Sequence, residues 1–264
     1  MCRLLGEKAP GARVDICVLA CSKGAEVYSI LWAIRTARPD LKVKTLAIDI
    51  SRDIVDFARE GVYSRREPSP QSEAPPGDAT GAEKLAWNTY RDQGPRQDVS
   101  IFERMTESEQ RAMFELEGDQ ARVRPWLKDG ITWLVGDAGD PELARRLGPQ
   151  DIVVANRFLC HMEPPAAEKC LRNLARLVRP GGHLFVSGVD LDVRTNAAKC
   201  LGWSPVTTLM REVHEGDGSL TGGWPFGWHG LEPFCDDFAD WRIRYASVFQ
   251  VGESSTFLEE ASIP

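Results

Sequence analysis

The sequence predicts a doubly wound α/β fold with a mostly parallel sheet, and two observations carry that expectation. Short, almost wholly apolar runs, Val14–Leu19 and Asp151–Ala155, read as strands buried on both faces. Between such runs lie stretches whose apolar residues recur at helical spacing, so strand and helix alternate through Val189.

The elements come in order along the chain. Val14–Leu19 runs into a turn of small residues, Ala20-Cys21-Ser22-Lys23-Gly24. A helix with Val27, Ile30, Leu31 and Ile34 on one face comes next and stops at Pro39-Asp40. Val43–Ile48 is a second strand ending at Asp49, and Ser51 is placed to cap the helix through Ile54, Val55 and Phe57. Residues 67–100 are rich in Pro, Gly, Ser and charge, and are expected to form a flexible surface insertion. Thr106-Glu107-Ser108-Glu109 offers caps and early acids for a helix through Met113 and Phe114. Ala121–Trp126 and Ile131–Val135 look like strands, with Asp137 just past the second. After Asp151–Ala155, an amphipathic helix over Pro164–Leu177 ends at Arg179-Pro180-Gly181-Gly182. His183–Val189 reads as a strand, Pro205–His214 as a helix, 215–234 as an aromatic loop and Trp241–Val251 as a closing strand.

Composition narrows the class. The 264 residues are 42% hydrophobic and 27% charged, enough apolar material for a sizeable core in a single domain over 1–264. That balance excludes collagen-like, coiled-coil and wholly disordered chains. No apolar run approaches the roughly 18 residues of a membrane span, and the N-terminal residues lack a long apolar signal core. A formal net charge of −7 argues against general attraction to nucleic acid or anionic lipid. The 7 cysteines, an odd number without CxxC spacing, read as reduced thiols of a cytoplasmic protein. The 4 histidines are scattered and form no HExxH, so no metal is expected.

An apolar strand feeding a Gly-containing turn and a helix is a ligand site by geometry, because the backbone can approach a ligand and the helix start offers free N–H groups. The turn lacks the full GxGxxG pattern, and a plain strand–helix connection is the alternative. Asp49 at the end of the second strand is placed to accept from both hydroxyls of a ribose, or else caps the next helix. Asp137 comes after a later strand on the same sheet edge, where it suits an adenine amino group or is a solvated turn acid. Gly24, Asp49 and Asp137 together describe an adenosine pocket.

The segment Ala20-Cys21-Ser22-Lys23-Gly24-Ala25-Glu26-Val27-Tyr28-Ser29 resembles the cofactor loop of CheR-type methyltransferases, which read ACSTGEEPYS there. That family O-methylates receptor glutamates with S-adenosylmethionine. The match continues at Ala47-Ile48-Asp49-Ile50, at Phe57–Tyr63, at Asp151–Met162 and at Leu177–Phe185. It covers about residues 14–190 without 67–100, and the family's N-terminal helical domain has no counterpart in the 13 residues before the first strand. The resemblance implies a seven-stranded sheet whose last strand is antiparallel.

It also implies roles. Ala20, Ser22 and Gly24 line the cofactor's methionine and ribose, and Glu26 meets its amino group, Ala25 replacing a second acid. Asp49 with Ile50 holds the ribose side, and Asp137 with Ala138 stands beside the adenine. Asn156 and Arg157 take the place of an Arg-Asn pair in reversed order, and His161 that of a tyrosine near the transferred methyl. The segment Trp224–Phe234 has no parallel in the chemotaxis enzymes. It is either a lid over a small substrate, with His229 or Glu232 orienting it, or a packing plug.

Three functions remain open. One is methyl transfer to a carboxylate oxygen of a protein glutamate or a small molecule; a carboxylate is ionised at neutral pH and needs no base. The second is transfer to an O or N nucleophile of a metabolite, with His161 as the base. The third is a non-catalytic cofactor-binding module.

Overall fold

The positions of the strands set everything else, and a computed structural model describes them within residues 1–65, 101–102, 105–216 and 232–252. The insertion expected at 67–100 and residues 217–231 of the aromatic loop lie outside the described residues. The chain divides into two compact units, Met1–Arg59 with Gly130–Pro264, and Glu60–Asp129.

In the larger unit β1 (Arg13–Leu19), β2 (Lys42–Asp49), β6 (Ile131–Val135), β7 (Gln150–Asn156), β8 (Val178–Ser187), β9 (Ser204–Pro205) and β10 (Val248–Gln250) form one sheet. Its order is β6-β2-β1-β7-β8-β10-β9. Pairings from β6 through β8 are parallel, and β10 runs antiparallel to both β8 and β9. The expected seven strands are thus present. The order reverses at β1, whose neighbours β2 and β7 lead the chain in opposite directions and leave a crevice outside their carboxyl ends. Ile16, Cys17, Val18 and Leu19 have no exposed surface, as expected of a central strand covered on both faces.

Helix α1 (Cys2–Leu5) precedes the sheet, and Arg38 ties that segment down by donating to the carbonyls of Leu5 at 2.5 Å and Lys8 at 2.9 Å. Helix α2 (Ala25–Ala37) buries Val27, Tyr28, Leu31 and Ile34, nearly the stripe read from the sequence. Helix α3 (Arg52–Glu60) starts after Ser51, whose Oγ accepts from the Ile54 N–H at 3.5 Å. Later come α6 (Leu143–Leu147), α7 (Pro164–Ala175), α8 (Leu191–Cys200), α9 (Met210–Glu215) and α10 (Trp241–Tyr245). Beneath the sheet Asp151 is buried, yet its carboxylate is satisfied. It accepts from Lys8 at 3.1 Å and the Asp15 N–H at 2.8 Å, and pairs with Arg179 at 3.3 Å.

The smaller unit holds an antiparallel sheet of β3 (Val62–Ser64), β5 (Gln120–Val123) and β4 (Phe114–Glu117). Before it lies α4 (Glu107–Met113), opened by the expected capping box: Thr106 Oγ1 accepts from the Glu109 N–H, and Glu109 accepts from the Thr106 N–H at 2.7 Å.

Three expectations change. The strand at Ala121–Trp126 ends at Val123, because Pro125 starts the short helix α5 (Pro125–Lys128). The helix at Pro205–His214 begins at Met210: Ser204 and Pro205 pair with β10, and Leu209 takes a left-handed conformation at φ 59°. Trp241–Val251 is helix first and strand second. Trp241 and Tyr245, four residues apart, both pack on Phe234, with ring centroids at 5.8 and 4.7 Å. That helical spacing wins over the alternating pattern that suggested a strand.

Candidate active site

The turn after β1 is built from strained backbone. Ala20 at φ 49° and Ser22 at φ 46° are left-handed without being glycine, and Gly24 at φ 83° caps α2. A Cβ on Gly24 would lie 3.0 Å from both Ala58 Cβ and Trp133 Cη2. Position 24 therefore needs glycine for its conformation and for its room. Strain of this kind persists where surrounding bonds over-determine it, and here they do. The Cys21 N–H donates to the Ile48 carbonyl at 2.9 Å, and the Ser22 N–H to Asp49 Oδ2 at 2.9 Å. Burial pushes the Cys21 thiol up to about 12, so it is an inert wall of the turn.

Asp49 takes a second backbone bond, from Ser51 N–H to Oδ1 at 3.1 Å. Each carboxylate oxygen keeps a lone pair for a further donor. Ile50 beside it is 71% exposed, an apolar side chain standing in solvent at the sheet edge. Gly136 N–H donates to the Asp49 carbonyl at 2.9 Å and brings the start of the 137–140 turn next to Asp49. Asp137 is exposed, and its Oδ1 accepts from the Gly139 N–H at 2.7 Å. The Ala138 carbonyl accepts from the Cys170 thiol at 3.6 Å. Gly24, Asp49, Ile50, Asp137 and Ala138 thus share one edge of the sheet.

On the other side of β1 a polar chain crosses three elements. Asn156 Nδ2, at the end of β7, donates to Glu26 Oε1 in the first turn of α2, and Ser187 Oγ, at the end of β8, donates to Asn156 Oδ1 at 3.0 Å. Burial raises the pKa of Glu26, while the Asn156 bond and the charge of Arg157 oppose that rise. Arg157 is left-handed at φ 56°, its N–H donates to the Ser187 carbonyl at 2.9 Å, and Gly188 packs so closely that a Cβ there would sit 2.6 Å from Arg157 Cα.

His161 lies on the 3-10 turn Leu159–His161 and is exposed; the protein around its ring draws its pKa below the ordinary imidazole value. A cleft of about 970 Å³ opens beside Asn156, Arg157 and Ser187 and extends over β8 and β10. His161 does not line it.

Of the aromatic loop, Glu232 and Phe234 are packing residues. Glu232 accepts from Arg244 Nη2 at 2.8 Å and from the Tyr245 hydroxyl at 2.8 Å, and the Arg244 bond holds its pKa low. Arg211 stacks 4.1 Å above the Phe234 ring.

Ser187 and Trp133 escaped the reading of the sequence. A serine ending a strand and a tryptophan inside one carry no pattern of their own; the register Asn156↔Ser187 is what gives Ser187 a role.

The profile described as CheR methyltransferase, SAM binding domain matches residues 2–74, and a second, described as Methyltransferase domain, matches 105–186. The probable biofilm formation methyltransferase WspC of Pseudomonas aeruginosa is 27% identical over 220 residues. That match spans 81% of this chain and 44% of the relative, so the chain corresponds to less than half of that protein's length. Among solved structures, magnesium protoporphyrin IX methyltransferase (ChlM) from Synechocystis PCC 6803 is 15% identical with a TM-score of 0.40, covering 78% of this chain and 65% of its own. The N-methyltransferase NodS from Bradyrhizobium japonicum WM9 is 14% identical with a TM-score of 0.37, covering 76% and 70%.

Proposed function

We propose that the chain is a CheR-like, S-adenosylmethionine-dependent methyltransferase catalytic domain and that it methylates a carboxylate oxygen, of a protein glutamate or of a small molecule. The observation that carries this reading is the Glu26–Asn156–Ser187 chain. The acid in the first turn of α2 is already engaged by an amide, so it is held to meet a cation and not to take a proton from an acceptor.

The residues present fit the cofactor. Glu26, half-buried and with its pKa raised by burial, suits an ammonium group that would offset that rise. The bare backbone of Ala20, Ser22 and Gly24 suits close approach, and Asp49 has lone pairs for ribose hydroxyls. Ile50 offers an apolar face, and Asp137 and Ala138 lie farther along the same edge. When bound, S-adenosylmethionine supplies a methyl group on a sulfonium. The methyl would pass from sulfur to the acceptor oxygen with the S–CH₃ electron pair left on sulfur, so the chain's residues would have no proton to move. The protein's task is alignment and exclusion of water, which the rigid turn and the Asn156 bridge serve. Arg157, held at the end of β7, lines the cleft beside Asn156 with a positive charge. A cytoplasmic setting belongs to the same reading, since all 7 cysteines are free thiols.

The test is His161→Phe, which keeps a ring and removes proton transfer. For a carboxylate acceptor the turnover is expected to change little. A fall of about 10²–10⁴-fold with unchanged cofactor affinity would instead assign His161 as a general base for a hydroxyl or amine acceptor.

A further inference from the structure

Among the described residues the charge on Arg194 has no counterpart. The residue is 4% exposed, and its guanidinium donates to the carbonyls of Val186 at 3.3 Å and Arg244 at 2.7 Å. Its Nε is buried and makes no hydrogen bond among the described residues. No carboxylate pairs with it among those residues, and the nearest charge that acts on it is Arg244, a like one. Burial and that neighbour pull its pKa down to about 10, so it stays a cation at neutral pH. A buried cation without an acid is costly, and an anion arriving beside it would offset that cost.

Arg194 lines the cleft of about 970 Å³. The bond to Val186 fixes its height: Val186 precedes Ser187, whose hydroxyl holds Asn156, so the guanidinium stands at the end of the cleft nearest Ser187 and Asn156. Arg157 lines the same end. Away from it the walls mix apolar side chains, Phe185, Leu191, Val206, Leu209, Val213 and Val248, with polar ones, among them Glu7, His183, Thr208, His214 and Gln250. Two of these, Leu209 and Val213, are 41% and 53% exposed, so the wall is incompletely covered by the described protein. The volume is that of a site for a drug-sized molecule, and the slender side chain of a glutamate would leave most of it empty.

Resting on the carboxylate reading above, we propose that this cleft seats the methyl acceptor and that the acceptor is an amphipathic carboxylic acid of small-molecule size. Its carboxylate lies toward Arg157 and Arg194, and its apolar body lies along β8, β10 and α9. Arg194 acts as a specificity residue that favours the anion over a neutral isostere. The product is the neutral methyl ester, which has lost the charge that held the acid and leaves readily.

The experiment uses the whole chain. Calorimetry first establishes binding of S-adenosylhomocysteine; failure at that step would sink the methyltransferase reading itself, whereas the acceptor proposal stands or falls on the titrations. Decanoate and phenylbutyrate are then titrated beside decanamide and phenylbutyramide in the presence of S-adenosylhomocysteine. The acids are expected to bind at least about tenfold more tightly than the amides, the scale of one charge-assisted contact. Arg194→Met should erase that preference while S-adenosylhomocysteine still binds, and Arg194→Lys should restore part of it. A merely structural Arg194 would lower acid and amide binding together. Equal binding of acid and amide by the unaltered protein overturns the proposal even if both variants fail to fold. Base-labile label from the methyl donor appearing on protein glutamates alone, with no acid bound, overturns it too and leaves the carboxylate reading standing.

Discussion

Glu26 shows how a single carboxyl couples a site to pH. Its folded pKa is raised by burial, so the folded chain holds that proton more tightly than the unfolded one. Ionising it therefore costs fold stability as the pH rises from the unfolded to the folded pKa, and a cation beside it relieves the cost. Affinity for S-adenosylhomocysteine, whose ammonium is that cation, should decline as the pH falls through the raised value. The decline should begin above the range of an ordinary glutamate. Glu26→Gln is expected to lower affinity by about 1.5–3 kcal/mol at neutral pH and to flatten its pH dependence, both read by calorimetry. Asp49→Ala should weaken the same binding by about 1–3 kcal/mol, because a ribose partner goes and the Ser22 and Ser51 amides lose their acceptor. Equal affinity for wild type and mutant would remove Asp49 from the site.

Among the elements, the β1–α2 turn is the least tolerant. Gly24→Ala forces an alanine to φ 83° and sets its Cβ against Ala58 and Trp133. The left-handed conformation alone costs about 1–2 kcal/mol, so a lower melting temperature together with lost cofactor binding is expected. This turn was legible in the sequence, since an apolar strand, small residues, a glycine and an amphipathic stripe sit in order. So were β7, an apolar run, and β2, whose buried Val43, Ala47 and Ile48 lead to Asp49. What the sequence hid was decided at longer range. Arg194 carries no motif, and its meaning comes from the Val186 and Arg244 carbonyls, which converge on it from distant segments. In α10, Trp241, Ile243 and Tyr245 alternate as in a strand, and only packing on Phe234 selects the helical spacing.

Within the larger unit, one buried carboxylate joins the N-terminal segment to the sheet. Asp151→Ala would strip the Asp15 amide of its acceptor and release Lys8 and Arg179, whose side chains are 42% and 39% exposed and can turn to water. The loss should therefore be the cost of one orphaned donor, about 1–3 kcal/mol in denaturant unfolding, and less than that of stranding a sealed charge. Strand order adds a different kind of consequence. Because β1 stands where the order reverses, the residues proposed for the nucleoside hang from β2 and β6 on one side, and those proposed for the acceptor from β7, β8 and β10 on the other. The two ligands are inherited through separate stretches of chain. Descendants of this fold can exchange one clientele for another by rewriting the half after residue 150, while the half that reads the shared donor passes on unaltered.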